Sequence, residues 1–143
     1  MMLERVAIVI LLAALGVGAY TVGTRWQVRR TGHRADDSAT AALLARLRPG
    51  VPAVIYFWSE SCPPCKTVQK PALEQLQAAL GPDGVQVVAI DALERPDLAA
   101  EWGVLGLPTT FIVDGLGRPR CVNHGVARAA QLQKQIEAVS IAT

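Results

Sequence analysis

Cysteine is scarce in this chain, with three in 143 residues. That is too few to staple a small fold through disulfides. Net charge is also small, at +2, and no basic face emerges, so no nucleic-acid partner is expected. The chain lacks the low hydrophobicity and high charge of a disordered protein. It shows no internal repeat and no low-complexity tract. At one domain's length it has no room for a separate cofactor domain. What it does have is one long uncharged run near the start and a pair of cysteines three residues apart, Cys62 and Cys65, with Cys121 left over.

The uncharged run spans Val6 to Thr24, 19 residues of which 14 are apolar. About 20 such residues cross a bilayer core as a helix. Tyr20 and Trp26 fall near its far end, where interfacial aromatics belong. No polar face repeats at helical spacing, which argues against a core helix. A cleaved signal peptide is the other reading, with Val17-Gly18-Ala19 as its small-residue site, although MMLER is weakly basic for that role. Residues 1–24 therefore read as a single-pass membrane anchor in contact with lipid, and the polar, basic segment 25–37 as a tether. Arg25, Arg29, Arg30 and Arg34 outnumber the upstream charges. The positive-inside rule then sets the remaining domain on the cytoplasmic side. The same arginines would grip anionic headgroups on either face, so the extracytoplasmic side stays open. Charge divides the chain likewise, with +4 over residues 1–48 and −2 over residues 49–143.

Residues 38–143 alternate between strand and helix signals. Asp37-Ser38 suits the cap of a short helix carrying Ala42, Leu43, Leu44 and Leu47, closed by Pro49-Gly50. Val54 to Trp58 is a continuous β-branched and aromatic run, as in a strand buried on both faces. A helix follows from about Cys62 to Leu80, with Val68, Ala72, Leu73, Leu76, Ala79 and Leu80 inward and a kink at Pro71. Gly81 to Gly84 is a turn. Val85 to Ile90 is a strand ending at Asp91, and Arg95 to Trp102 a short helix with Pro96 in its first turn. Thr109 to Val113 and Arg118 to Asn123 are strands joined by a hairpin at Asp114 to Gly117. A last helix runs from Val126 to Val139. The pattern predicts an α/β fold: a four-stranded mixed sheet, parallel where helices intervene and antiparallel at the final hairpin, with helices on both faces.

The cysteine pair follows a buried strand and opens a helix. A helix N-terminus carries partial positive charge and unpaired N–H groups, which favour a thiolate at Cys62. Three residues apart on a first turn, the sulfurs reach each other. Cys62 then suits attack on a disulfide and Cys65 its resolution. Pro63 and Pro64 fit the first turn because their missing N–H groups are unpaired there in any case.

The segment Tyr56 to Lys66, containing Cys62-Pro63-Pro64-Cys65, resembles the active-site segment of the thioredoxin family. Leu107-Pro108-Thr109-Thr110, some 43 residues later, resembles that family's cis-proline loop, and Asp114 to Gly125 its terminal hairpin. The resemblance covers roughly residues 38–143. It implies a thioredoxin-like fold and thiol–disulfide exchange on protein substrates, with an upstream redox partner and a redox-active disulfide in place of any cofactor. It implies that Cys62 is the exposed nucleophile and Cys65 the buried resolving thiol. Trp58 would pack beside the site. Pro63, Pro64 and Lys66 would complete the active-site loop. Leu107, a cis Pro108 and Thr109 would receive the substrate backbone. Three features depart from the family. Tyr56 replaces the buried Asp that assists proton transfer at the resolving thiol, which leaves water or Glu60 for that task. The cysteines enclose Pro-Pro. The usual first strand is absent, so a sheet edge needs cover.

Pro-Pro with no histidine between the cysteines points to a reductant. A thioredoxin-like binding or redox-sensing module with little turnover is the alternative that Tyr56 keeps open. A zinc site joining the pair to Cys121 and His124 uses acceptable ligands. Its two halves lie 55 residues apart, longer than the usual ribbon, and no metal is expected. Haem attachment needs His after the second cysteine, where Lys66 stands. Cys121 reads as a half-buried strand residue, and Trp102 and Phe111 as core.

Overall fold

The computed structural model describes residues 1–33 and 38–141. The first helix, α1 (Met2–His33), contains a stretch from Glu4 to Trp26 long and apolar enough to cross a membrane. It does not stop where the charges begin. Gln27 to Arg30 are tolerated in a helix and no proline intervenes, so the first part of the expected tether is helical to His33. Arg34 and the expected cap Asp37 lie outside the described residues. The far end of α1 packs against β4 (Pro119–His124).

The remaining elements are α2 (Ser38–Leu44), β1 (Ala53–Trp58), a π-turn (Cys65–Gln69), α3 (Lys70–Gly84), β2 (Gln86–Asp91), α4 (Pro96–Glu101), β3 (Thr109–Val113), β4 and α5 (Ala129–Ile141). The four strands form one sheet in the order β2-β1-β3-β4. β1 pairs parallel with β2, Tyr56 lying opposite Ala89. β3 runs antiparallel to β1, with Tyr56 opposite Thr110. The expectation that strands separated by helices run parallel holds for β1 and β2 but not for β3. The connection through α4 (Pro96–Glu101) does not carry the chain back along the sheet. It re-enters at the end where β2 leaves, with Asp91 opposite Trp58 and Thr109 opposite Phe57. The hairpin to β4 is antiparallel as expected. It closes on Asp114, whose buried carboxylate accepts the N–H groups of Leu116 and Arg118 and pairs with Arg118 and Arg120.

β1 is the central spine and its side chains alternate between two cores. Val54 and Tyr56 face α3 and α5 with Leu73, Leu76, Leu132, Ile136 and both paired cysteines. Ala53, Ile55 and Phe57 face α2 and α4 with Leu43, Leu98, Trp102 and Phe111.

The kink expected at Pro71 takes the form of the π-turn. Proline has no N–H to give to the carbonyl four residues back, and its ring crowds that carbonyl. The chain widens by one residue beforehand, so the Lys70 N–H reaches the Cys65 carbonyl. Helical geometry then runs to Leu80 and breaks at Gly81, with φ +70°. The inner stripe differs from expectation. Gln69 is fully buried while Val68 is 46% exposed, and Ala79 is exposed. The Gln69 amide explains this: its oxygen accepts the Ala127 N–H at 2.8 Å and its nitrogen donates to the Ala127 carbonyl at 3.0 Å.

Candidate active site

β1 delivers the chain to the end of the sheet at Trp58, where the Ser59 carbonyl accepts the Cys62 N–H at 3.2 Å. Cys62 stands just before the helical residues Pro63 and Pro64. That place at the N-terminal end of the turn, where the main-chain dipoles leave partial positive charge, favours a thiolate on reduction. Cys62 and Cys65 form a disulfide with Cα atoms 5.3 Å apart. The expectation of an exposed Cys62 needs correction for this oxidised state. Cys62 is 8% exposed and Cys65 0%, because Trp58 and Leu107 pack against the cluster that holds both. Cys62 is still the more accessible residue of the pair. Pro63 and Pro64 are exposed, and the Thr67 hydroxyl donates to the Pro63 carbonyl at 3.0 Å. Lys66 is not a free charge beside Cys62, since its ammonium pairs with the Glu60 carboxylate.

The second wall comes from the loop before β3. The Leu107–Pro108 peptide bond is cis. Pro108 and Thr109 are buried and Leu107 half-buried. Two hydrogen bonds hold this loop: the Thr109 hydroxyl donates to the Gly106 carbonyl at 2.7 Å, and the Gly125 N–H donates to the Pro108 carbonyl at 2.9 Å. Gly125 has φ +83°, which a glycine adopts without strain. A cavity of about 720 Å³ opens beside Leu107 and Thr109, with His124 on one wall and Tyr20 and Trp26 of α1 on another.

Beneath the dithiol, the buried Tyr56 hydroxyl donates to the Cys65 carbonyl at 2.8 Å. Burial pushes its pKa up to about 12. A second cleft, about 560 Å³, reaches Cys65 from the side of Tyr56, Trp58, Glu60 and Lys66. The sequence singled out Tyr56 as a departure, but the bond it makes was not visible there. Gln69 was missed altogether. The only signal was a polar residue at i+4 from Cys65.

The remaining candidates fall elsewhere. Cys121 sits on β4 opposite Ile112, half-buried, and its sulfur accepts from the Gln135 amide at 3.1 Å. Burial raises its thiol pKa. Among the described residues, neither Cys121 nor His124 joins a group of ligands that could hold a metal ion. Asp91 ends β2 by accepting the N–H groups of Leu93 and Glu94.

The geometry is a strand-to-helix dithiol facing a cis-proline loop, and comparison with known proteins decides its family. The family described as Thioredoxin matches residues 40–138. The chain belongs to the thioredoxin family. A thioredoxin of Rhodospirillum rubrum is 36% identical over 92 residues, covering 64% of this chain and 86% of that protein. The thiol:disulfide interchange protein HelX of Rhodobacter capsulatus is 31% identical, covering 52% of each chain. A thiol:disulfide interchange protein DsbE homolog of Paracoccus denitrificans is 35% identical, covering 50% of this chain. The chain spans about half the length of these two interchange proteins. In three dimensions, chloroplastic thioredoxin z superposes with a TM-score of 0.61 at 27% identity, covering 73% of this chain and 89% of that one. As a thioredoxin-family protein with a CxxC disulfide, the chain is a protein thiol–disulfide oxidoreductase.

Proposed function

We propose that this thioredoxin domain reduces protein disulfides beside a membrane, held there by α1. Cys62 attacks a substrate disulfide as a thiolate, and Cys65 then attacks Cys62 and releases the reduced substrate. Leu107, Pro108 and Thr109 receive the substrate chain, Trp58 flanks the pair, and Pro63, Pro64 and Lys66 shape the loop. An upstream dithiol protein restores the reduced pair, so no organic cofactor or metal is needed. The charge rule puts the domain on the cytoplasmic face.

The observation that carries this reading is the disulfide at the start of the helical turn, with Cys62 the more accessible partner. Reduced Cys65→Ser is expected to accumulate mixed disulfides through Cys62, while Cys62→Ser falls to background turnover. Equal turnover of Cys62→Ser and the parent would leave a binding or sensing module as the better description. Phosphatase and cytosolic fluorophore fusions at Thr143 report the membrane face, and an active phosphatase reverses the orientation.

A further inference from the structure

The reaction obliges Cys65 to lose a proton before it attacks, in a place that is 0% exposed. The side chains around it limit where that proton goes. Tyr56 already donates its hydroxyl hydrogen to the Cys65 carbonyl, and the same carbonyl accepts the Lys70 N–H. Both lone pairs are occupied, so the backbone at Cys65 is held from the sheet and from the helix at once. Burial keeps the phenol protonated far above neutral pH, so Tyr56 does not serve as a base. The charged groups of the adjoining cleft are Glu60 and Lys66 from the active-site loop and Lys70 and Glu74 from α3, while β2 contributes uncharged Val87 and Ala89. Glu60 is engaged with Lys66 and its side chain is 77% exposed. Glu74 is also exposed. Neither is a buried carboxylate like the one the family resemblance calls for at position 56. The cleft itself, with Cys65 in its wall, offers about 560 Å³, many times the share of one water.

We propose that Tyr56 is a positioning residue for the resolving cysteine, and that the proton of Cys65 passes to water in the cleft between β2 and α3 rather than to a protein carboxylate. This rests on the reading of Cys65 as the resolving thiol. In the step, the Cys65 thiol gives its proton to cleft water and the thiolate attacks the Cys62 sulfur. The bond between Cys62 and the substrate sulfur breaks, and its electron pair leaves on that sulfur, which is protonated by solvent. The Cys62–Cys65 disulfide forms, and the substrate has gained two electrons overall.

The reagent 5,5′-dithiobis(2-nitrobenzoate) separates the two events. With the full chain in detergent and Cys121→Ser as background, the reduced protein releases one thionitrobenzoate when Cys62 attacks and a second when Cys65 resolves. Tyr56→Phe is expected to slow the second release about fivefold, the ordinary worth of one hydrogen bond, and to leave the first unchanged. Ala89→Phe, which fills the cleft from β2, is expected to slow only the second release as well. Glu60→Gln and Glu74→Gln are expected to leave its rate and pH profile unchanged. Parent-like second release in Ala89→Phe or in folded Tyr56→Phe overturns the proposal, as does an ionisation lost in either glutamine variant. Cys65→Ser checks the underlying reading separately: a second release that survives there places the resolving thiol elsewhere.

Discussion

The α2–α4 face of the sheet is packed around three aromatic rings in mutual contact, whereas the α3–α5 face holds the dithiol beside Tyr56 and Trp58 among otherwise aliphatic side chains. Phe57, Trp102 and Phe111 meet with centroids 4.9–6.0 Å apart, Phe111 edge-to-face with both partners and Phe57 tilted against Trp102, contacts that add to area burial. The Trp102 indole donates to the Thr40 hydroxyl, which in turn donates to Glu101. On the dithiol face the polar contacts instead fix backbone: Tyr56 holds Cys65, and Gln69 holds Ala127. One strand, β1, feeds both faces by alternation. Ring packing is concentrated on the face away from the chemistry, and side-chain bonds to backbone on the other.

The largest effect should come from breaking the aromatic face. Trp102→Ala is expected to destabilise by about 3–5 kcal/mol, a large share of an ordinary domain's stability of about 5–15 kcal/mol. Urea unfolding of the reduced protein measures it, and a change under 1 kcal/mol would contradict the role assigned to the ring cluster. On the dithiol face, Gln69→Ala leaves the Ala127 N–H and carbonyl without partners. It should cost about 1–3 kcal/mol, with local hydrogen exchange rising at Ala127 before the rest of the domain.

A third effect is confined to high pH. The Tyr56 pKa rises from 10.0 to about 12 on folding, so the folded state holds the phenol proton more tightly than the unfolded chain. The stability this contributes is whole below about pH 10 and is lost as pH climbs from 10 towards 12. Tyr56→Phe should flatten that part of the stability curve. The smallest effect is expected at Cys121. Its half-buried sulfur meets Gln135, and a serine hydroxyl accepts the same hydrogen bond. Cys121→Ser should stay within about 0.5 kcal/mol and retain full turnover. Lost turnover would bring Cys121 into the reaction.

Much of the site was legible because its signals are local. A buried β-branched run, then Cys-Pro-Pro-Cys, then an apolar helical stripe can be read without knowing any distant contact. Pro108 was legible as a loop landmark through family resemblance. Gln69 was not, because a glutamine in a helix reads as solvent-facing until a backbone pair 58 residues away is known to meet it. Cys62 read as exposed for a similar reason, since the cover from Leu107 arrives only with the loop before β3.

The sequence by itself determined the order of strands and helices in the domain, the dithiol's place at a strand-to-helix junction, and the long apolar helix before it. Each depends on periodicity and residue chemistry over fewer than about twenty neighbours. Only the tertiary structure decided that β3 runs against β1, that Pro71 is met by a π-turn, and that Tyr56 holds the carbonyl of Cys65. These outcomes depend on where the connection after β2 re-enters the sheet and on which buried polar groups find each other once the layers close, and a buried donor or acceptor left unpaired is too unfavourable to leave that choice open.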